Sequence, residues 1–126
     1  MSEPDFEVAI VGAGPGGLSA AGRAQHYDLE SGDSTPSYVL LEGFTAHAKT
    51  IQQYQKGKHV MAEPGFLALR SDLDFEAGTR EVILDGWSGS LEAQGINIRY
   101  GADVSSVKKE GDLFTLSCGD GSSLTA

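Results

Sequence analysis

A chain of 126 residues has the size of one domain, and its 40% hydrophobic content is enough for one core. Nine basic against eighteen acidic residues leave a net charge of −9, with no stretch rich in Lys or Arg, which argues against nucleic acid and membrane surfaces as partners. No apolar run approaches the roughly 20 residues of a spanning helix. The acidic start Met1–Asp5 lacks the positive region of a secretion signal, and the single cysteine, Cys118, forms no internal disulfide or cysteine-based metal site, so a reducing cytoplasm is expected.

In chain order, Phe6–Val11 ends in small and β-branched apolar residues, the composition of a central strand buried on both faces. Gly12-Ala13-Gly14-Pro15-Gly16-Gly17 follows directly, and Leu18–Gln25 reads as a helix of small residues suited to lying close on a sheet. Asp28–Ser37 has loop composition, and Tyr38–Leu41 is a second buried strand ending at Glu42-Gly43. Phe44–Phe75 shows no sustained period and is read as mostly irregular, with a short helix around Thr50–Gln55. Thr79 is placed to cap a helix from Arg80 to Gln94, with Glu81 near its positive end and Ile83, Trp87 and Leu91 on one apolar stripe. Gly95 ends that helix, Ile96–Tyr100 is a third strand, and Val104–Lys109, Leu113–Ser117 and Ser122–Ala126 form a meander.

Gly12, Gly14 and Gly17 make the pattern G-x-G-x-x-G, which is weak alone but here follows an apolar strand and opens a helix. The first glycine permits the tight turn, the second lets pyrophosphate approach the backbone, and the third lets helix and strand pack closely. The unpaired first-turn amides of the helix then face the phosphates. Glu42, at the end of the second strand, is placed to accept from both ribose hydroxyls of an adenosine, while a 2′-phosphate would be repelled; the ligand expected is FAD or NAD and not NADP. The 25 residues from Gly17 to Glu42 exceed the ~20 of the fingerprint, and the surplus is assigned to the Asp28–Ser37 loop.

Val8–Gly17 with Leu18-Ser19-Ala20-Ala21, together with Tyr38–Glu42, resembles the FAD domain of flavoproteins with two dinucleotide-binding domains. Within that group it is most similar to thioredoxin-reductase-like and bacillithiol-disulfide-reductase-like enzymes, the FAD-dependent pyridine nucleotide-disulfide oxidoreductases. The resemblance implies an α/β, Rossmann-like FAD/NAD(P)-binding domain, with strands 3-2-1 in a parallel sheet, helices on one face and the meander on the other. Residues 1–126 then correspond to the N-terminal part of the FAD domain, truncated, with the nicotinamide domain and the later FAD-contacting segment absent. The function implied is the FAD-binding portion of an NAD(P)H-dependent oxidoreductase acting on a small disulfide or another acceptor, inert and weak in flavin by itself. The cofactor-binding residues expected are Gly12, Gly14, Pro15, Gly16, Gly17, Glu42 and Gly43. The resemblance adds Lys49 and Thr50 near the pyrophosphate and flavin, and Val104 meeting adenine through its backbone.

One cysteine does not make the Cys-x-x-Cys pair of thioredoxin reductases, so no catalytic side chain is assigned. Two alternatives stay open: an NAD-binding sensor module, and the start of an FAD-dependent monooxygenase or oxidase, although those usually carry an Arg soon after the ribose acid and the next basic residue here is Lys49. His26, His47 and His59 lack ligand spacing, so no metal is expected. Cys118 reads as a bland thiol, Asp72 and Asp74 as solvated, Lys56, Lys58 and Tyr54 as loop residues, and Trp87 and Ile83 as core. The open edge of Phe6–Val11 predicts pairing with a second copy, which a monomer by light scattering at high concentration would contradict.

Overall fold

The computed structural model describes residues 3–32, 35–44, 53, 56–57, 59–60 and 78–126. Strand β1 (Val8–Val11) runs parallel to β2 (Tyr38–Leu41), with Val8 in register with Tyr38 and Val11 with Leu41. β2 runs parallel to β5 (Ile98–Arg99), giving the order β1-β2-β5. All four β2 residues are buried, and their alternation divides the molecule into layers. Tyr38 and Leu40 face Leu18 and Ala21 of α1 (Pro15–Ser31) and Ile83, Trp87 and Leu91 of α2 (Arg80–Gln94). Val39 and Leu41 face the opposite way, onto Leu116 and Leu124 of an antiparallel meander formed by β6 (Val104–Glu110), β7 (Leu113–Cys118) and β8 (Ser123–Thr125). Each such large apolar side chain, fully buried, contributes about 1.5–3 kcal/mol. A sheet covered on both faces explains why β2 is a continuous apolar run.

The expected α/β architecture, the 3-2-1 order and the placement of helices and meander on opposite faces all hold. So does the core role of Ile83 and Trp87 on α2, a helix capped by Thr79 and closed by Gly95 in the left-handed region. Three expectations differ. α1 extends to Ser31, where Gly32 (φ 72°) turns the chain, so the segment read as a loop from Asp28 is helical at its start. Asp28 is 7% exposed and accepts from Ser37 N–H (2.9 Å) and Ser37 Oγ–H (2.6 Å), a tertiary pairing that lets a loop-forming residue stay in a helix. The long interval before Glu42 is therefore mainly extra helix. β1 is not buried on both sides: Val8 and Val11 are half exposed, because β1 stands at the edge of the described sheet. The third strand is only Ile98–Arg99, since Ile96 and Asn97 complete the turn from α2.

Within the stretch read as irregular, β3 (His59–Val60) pairs antiparallel with β4 (Gly78–Thr79). The helix expected around Thr50–Gln55, and His47, Tyr54, Lys58, Asp72 and Asp74, lie outside the described residues, save for single positions such as Gln53. No helix among the described residues is long and apolar enough to cross a membrane.

A buried polar network ties α1 to the sheet. Tyr38, fully buried, donates its hydroxyl hydrogen to Gln25 Oε1 (2.7 Å) and accepts from Asn97 N–H (2.8 Å). Asn97 Nδ2 in turn donates to the Tyr38 carbonyl (2.8 Å). Both capacities of the phenol are used, so its burial leaves no unpaired polar atom. Burial pushes the Tyr38 hydroxyl above its ordinary pKa; the Asn97 amide opposes that and the Asp28 charge adds to it.

Candidate functional site

The carboxyl ends of β1 and β2 lie side by side, and the glycine-rich segment crosses there into α1. Gly12 takes φ 98°, a left-handed conformation that costs a residue with a Cβ dearly, and its N–H is bonded to the Leu41 carbonyl (2.7 Å). A Cβ on Gly17 would overlap the Gly12 carbonyl oxygen and sit 3.4 Å from Leu40 Cδ1, so Gly17 is required for the helix to start this close to the strand. Gly14 and Gly16 differ: among the described residues no atom would lie within 4 Å of a Cβ on either. Their lack of side chains therefore leaves this side of the loop uncovered by the described residues.

α1 begins there without a side-chain cap among the described residues. Its N-cap is Gly14, with no side-chain hydrogen bond; Pro15 at the first turn has no N–H to satisfy; and the first turn carries no acidic residue. Among the described residues none accepts from the N–H groups of Gly14, Gly16 or Gly17. Unpaired amides at a helix start, beside space that no Cβ fills, form an anion cradle.

Glu42 faces this cradle. It is 9% exposed, on the helix side of the sheet by the alternation that puts Tyr38 and Leu40 there. Its Oε1 accepts from Ala13 N–H (3.1 Å) and its Oε2 from Phe44 N–H (3.2 Å). The cradle is accordingly narrower than the sequence implied, because the amides of Gly12 and Ala13 are taken by Leu41 and Glu42. A carboxylate has about four lone-pair positions, so two bonds orient Glu42 and leave acceptor capacity beside the open amides. The residues present fit an ADP moiety.

Of the other expected site residues, Gly43 is exposed next to Glu42, and a side chain there would come within 3.3 Å of Asp103. Val104 opens β6, with its side chain against the meander-side core. Lys49 and Thr50 lie outside the described residues. His26 sits on α1, 3.1 Å from Glu30, and Cys118 is buried in the meander with its N–H bonded to the Ser122 carbonyl. Reading along the chain missed Tyr100, which follows β5 at the same end of the sheet. Burial first, and the Glu42 charge second, push its phenol above the ordinary value. Extending the β2–β5 register by one residue would have found it.

No protein-family model matches the chain, and no curated protein matches it. Solved structures do. The bacillithiol disulfide reductase from Staphylococcus aureus superposes with a TM-score of 0.73 at 19% identity, over 95% of this chain and 35% of that one. The flavin-containing monooxygenase from Stenotrophomonas maltophilia gives 0.66 at 22% identity, over 94% and 35%. The complex of OTEMO with FAD and NADP gives 0.71 at 13% identity, over 99% and 24%. The fold is Rossmann-like. The chain spans about a third of the length of the first two of these proteins and a quarter of the third.

Proposed function

We propose that Gly12–Gly17 and Glu42 hold the ADP half of FAD, and that the chain is the FAD-binding portion of an NAD(P)H-dependent flavoprotein oxidoreductase of the cytoplasm. The observation that carries this is the 3.1 Å bond from Ala13 N–H to Glu42, which joins a ribose-binding carboxylate to a loop with three open amides. The amides of Gly14, Gly16 and Gly17 bind the pyrophosphate, and the α1 dipole adds roughly 0.3–1 kcal/mol for an anion there. Glu42 accepts from the ribose hydroxyls. Pro15 sets the helix start, Gly43 keeps the strand end free of a side chain, Val104 meets adenine through its backbone, and Lys49 and Thr50 border the pyrophosphate and flavin.

When bound, the flavin would take hydride from a reduced nicotinamide and pass electrons to an acceptor. A small disulfide is the acceptor we favour, supported by the likeness to the bacillithiol disulfide reductase. The likeness to flavin monooxygenases supports a second reading, in which oxygen is the acceptor. The half-exposed Val8 and Val11 support pairing of two copies along the outer edge of β1.

Calorimetric titration of the chain with ADP and with its 2′-phosphorylated analogue tests the assignment. ADP should bind at least about tenfold more tightly, a difference of about 1.4 kcal/mol, because the second ligand sets a phosphate against Glu42. Equal binding, or a preference for the 2′-phosphate, would overturn it.

A further inference from the structure

Leu18, Ala21, Gln25 and Asp28 recur every three or four residues, so they share one side of α1. The first two are apolar and pack with Tyr38 and Leu40 of β2. The other two are polar, and each is bonded to the start of that strand. Gln25 Oε1 accepts from the Tyr38 hydroxyl (2.7 Å), and Asp28, 7% exposed, accepts from Ser37 N–H (2.9 Å) and Ser37 Oγ–H (2.6 Å). Tyr38 is a fixed post for this fastening. Its hydroxyl accepts from Asn97 N–H (2.8 Å), Asn97 Nδ2 donates to its carbonyl (2.8 Å), and Leu40 N–H donates to the Asn97 carbonyl (3.0 Å). The stripe is thus apolar where α1 begins and polar where it ends.

Apolar side chains at 25 and 28 would continue the packing of Leu18 and Ala21, and such a replacement of buried polar pairs is often neutral or stabilising. What apolar packing lacks is direction. It tolerates sliding, whereas a hydrogen bond holds its partners to a narrow range of distance and angle. Sliding matters here because the ligand site is divided between the two elements: the open amides belong to the start of α1, and Glu42 follows β2. Gln25 lies about 16 Å along the helix axis from Gly14, and over that length a helix carries a shift at one end to the other. We propose that Gln25 and Asp28 are positioning residues: bonded to Tyr38 and Ser37, they set how far α1 lies along β2, and with it the spacing between the amides of Gly14–Gly17 and the Glu42 carboxylate. The inference rests on the nucleotide reading of that site and adds the residues that hold its two halves in register.

The test compares ADP, which spans both halves, with inorganic pyrophosphate, which reaches only the amides, by NMR titration of the full chain. Gln25→Leu combined with Asp28→Leu keeps the packing and removes the direction. It should weaken ADP about tenfold, through lost preorganisation, and leave pyrophosphate within about twofold. The conservative pair, Gln25→Glu with Asp28→Asn, keeps an acceptor at each position and should bind both ligands as the unaltered chain does. Equal loss of the two ligands in the leucine pair is the mark of a merely structural role and would overturn the inference. Unchanged ADP affinity in the leucine pair, or a loss in the conservative pair as large as in the leucine pair, would do the same. If the leucine pair loses its native circular dichroism, Gln25→Met alone decides, with ADP expected about threefold weaker and pyrophosphate unmoved; equal loss or no loss there would overturn the role. An unaltered chain that binds neither ligand would sink the nucleotide site and the positioning role together.

Discussion

The two helices of this chain begin in opposite ways. α2 completes its own start: Thr79 Oγ1 accepts from Val82 N–H (3.5 Å), and Glu81 sets a carboxylate in the first turn, accepting from Gly57 N–H (3.0 Å) and Arg80 (3.2 Å). α1 starts on Gly14 and Pro15, with no cap and no acid, although it is the longer helix and carries the central packing against β2. Gly at a cap falls a few tenths of a kcal/mol short of Ser, Thr, Asp or Asn, so starting α1 on Gly14 forgoes some stability. The comparison teaches that the stable start and the useful start are different designs. An open helix end has a reason when a carboxylate such as Glu42 stands across from it to receive the rest of the same ligand.

The largest expected effect comes from the residue that sets the open end against the sheet. Gly17→Ala puts a methyl group into the Gly12 carbonyl and should cost about 3 kcal/mol or more, read as a lowered denaturation midpoint. A stability unchanged by that substitution would remove the argument for the close approach. Next is Glu42→Ala, which strips a partner from the buried Ala13 amide and the part-buried Phe44 amide. It should cost about 1–3 kcal/mol of stability and weaken ADP by about tenfold or more. Loss of stability with unchanged ADP affinity would leave Glu42 a structural residue only. The smallest effects come from exchanging the two helix starts. Thr79→Ala should destabilise by about 0.5–1 kcal/mol without changing ADP affinity. Gly14→Asp, at an extended backbone where no described residue lies within 4 Å of a Cβ, should stabilise by a few tenths to about 1 kcal/mol while abolishing ADP binding. ADP binding that survives Gly14→Asp would show that the open end is not the phosphate site.

The strand–glycine–helix–strand unit was legible in the chain because each step depends on neighbours in sequence: β-branched residues, a glycine turn, Pro15 at a helix start, a second apolar run. The end of α1 was not. Asp28–Ser31 has loop composition, and the helix persists there because Asp28 finds Ser37 across the turn. The half exposure of Val8 and Val11 was hidden for a similar reason, since which strands flank β1 is a property of the sheet and not of residues 6–11. At the site, the residue types were readable but not their bonding. Ala13 and Glu42 are 29 residues apart, so only the register of β1 on β2 shows that the carboxylate occupies one of the loop amides. Tyr100 looked like the end of a strand until that strand was seen to lie beside β2.

The account depends on ADP phosphates meeting the amides that no described residue occupies, which amide-resolved NMR of the labelled chain reads directly. On titration with ADP, the N–H resonances of Gly14, Gly16 and Gly17 should shift downfield and become protected from solvent exchange. Gly12, already bonded to Leu41, should move far less. Saturation with ADP that leaves those three glycine amides unmoved would contradict the account.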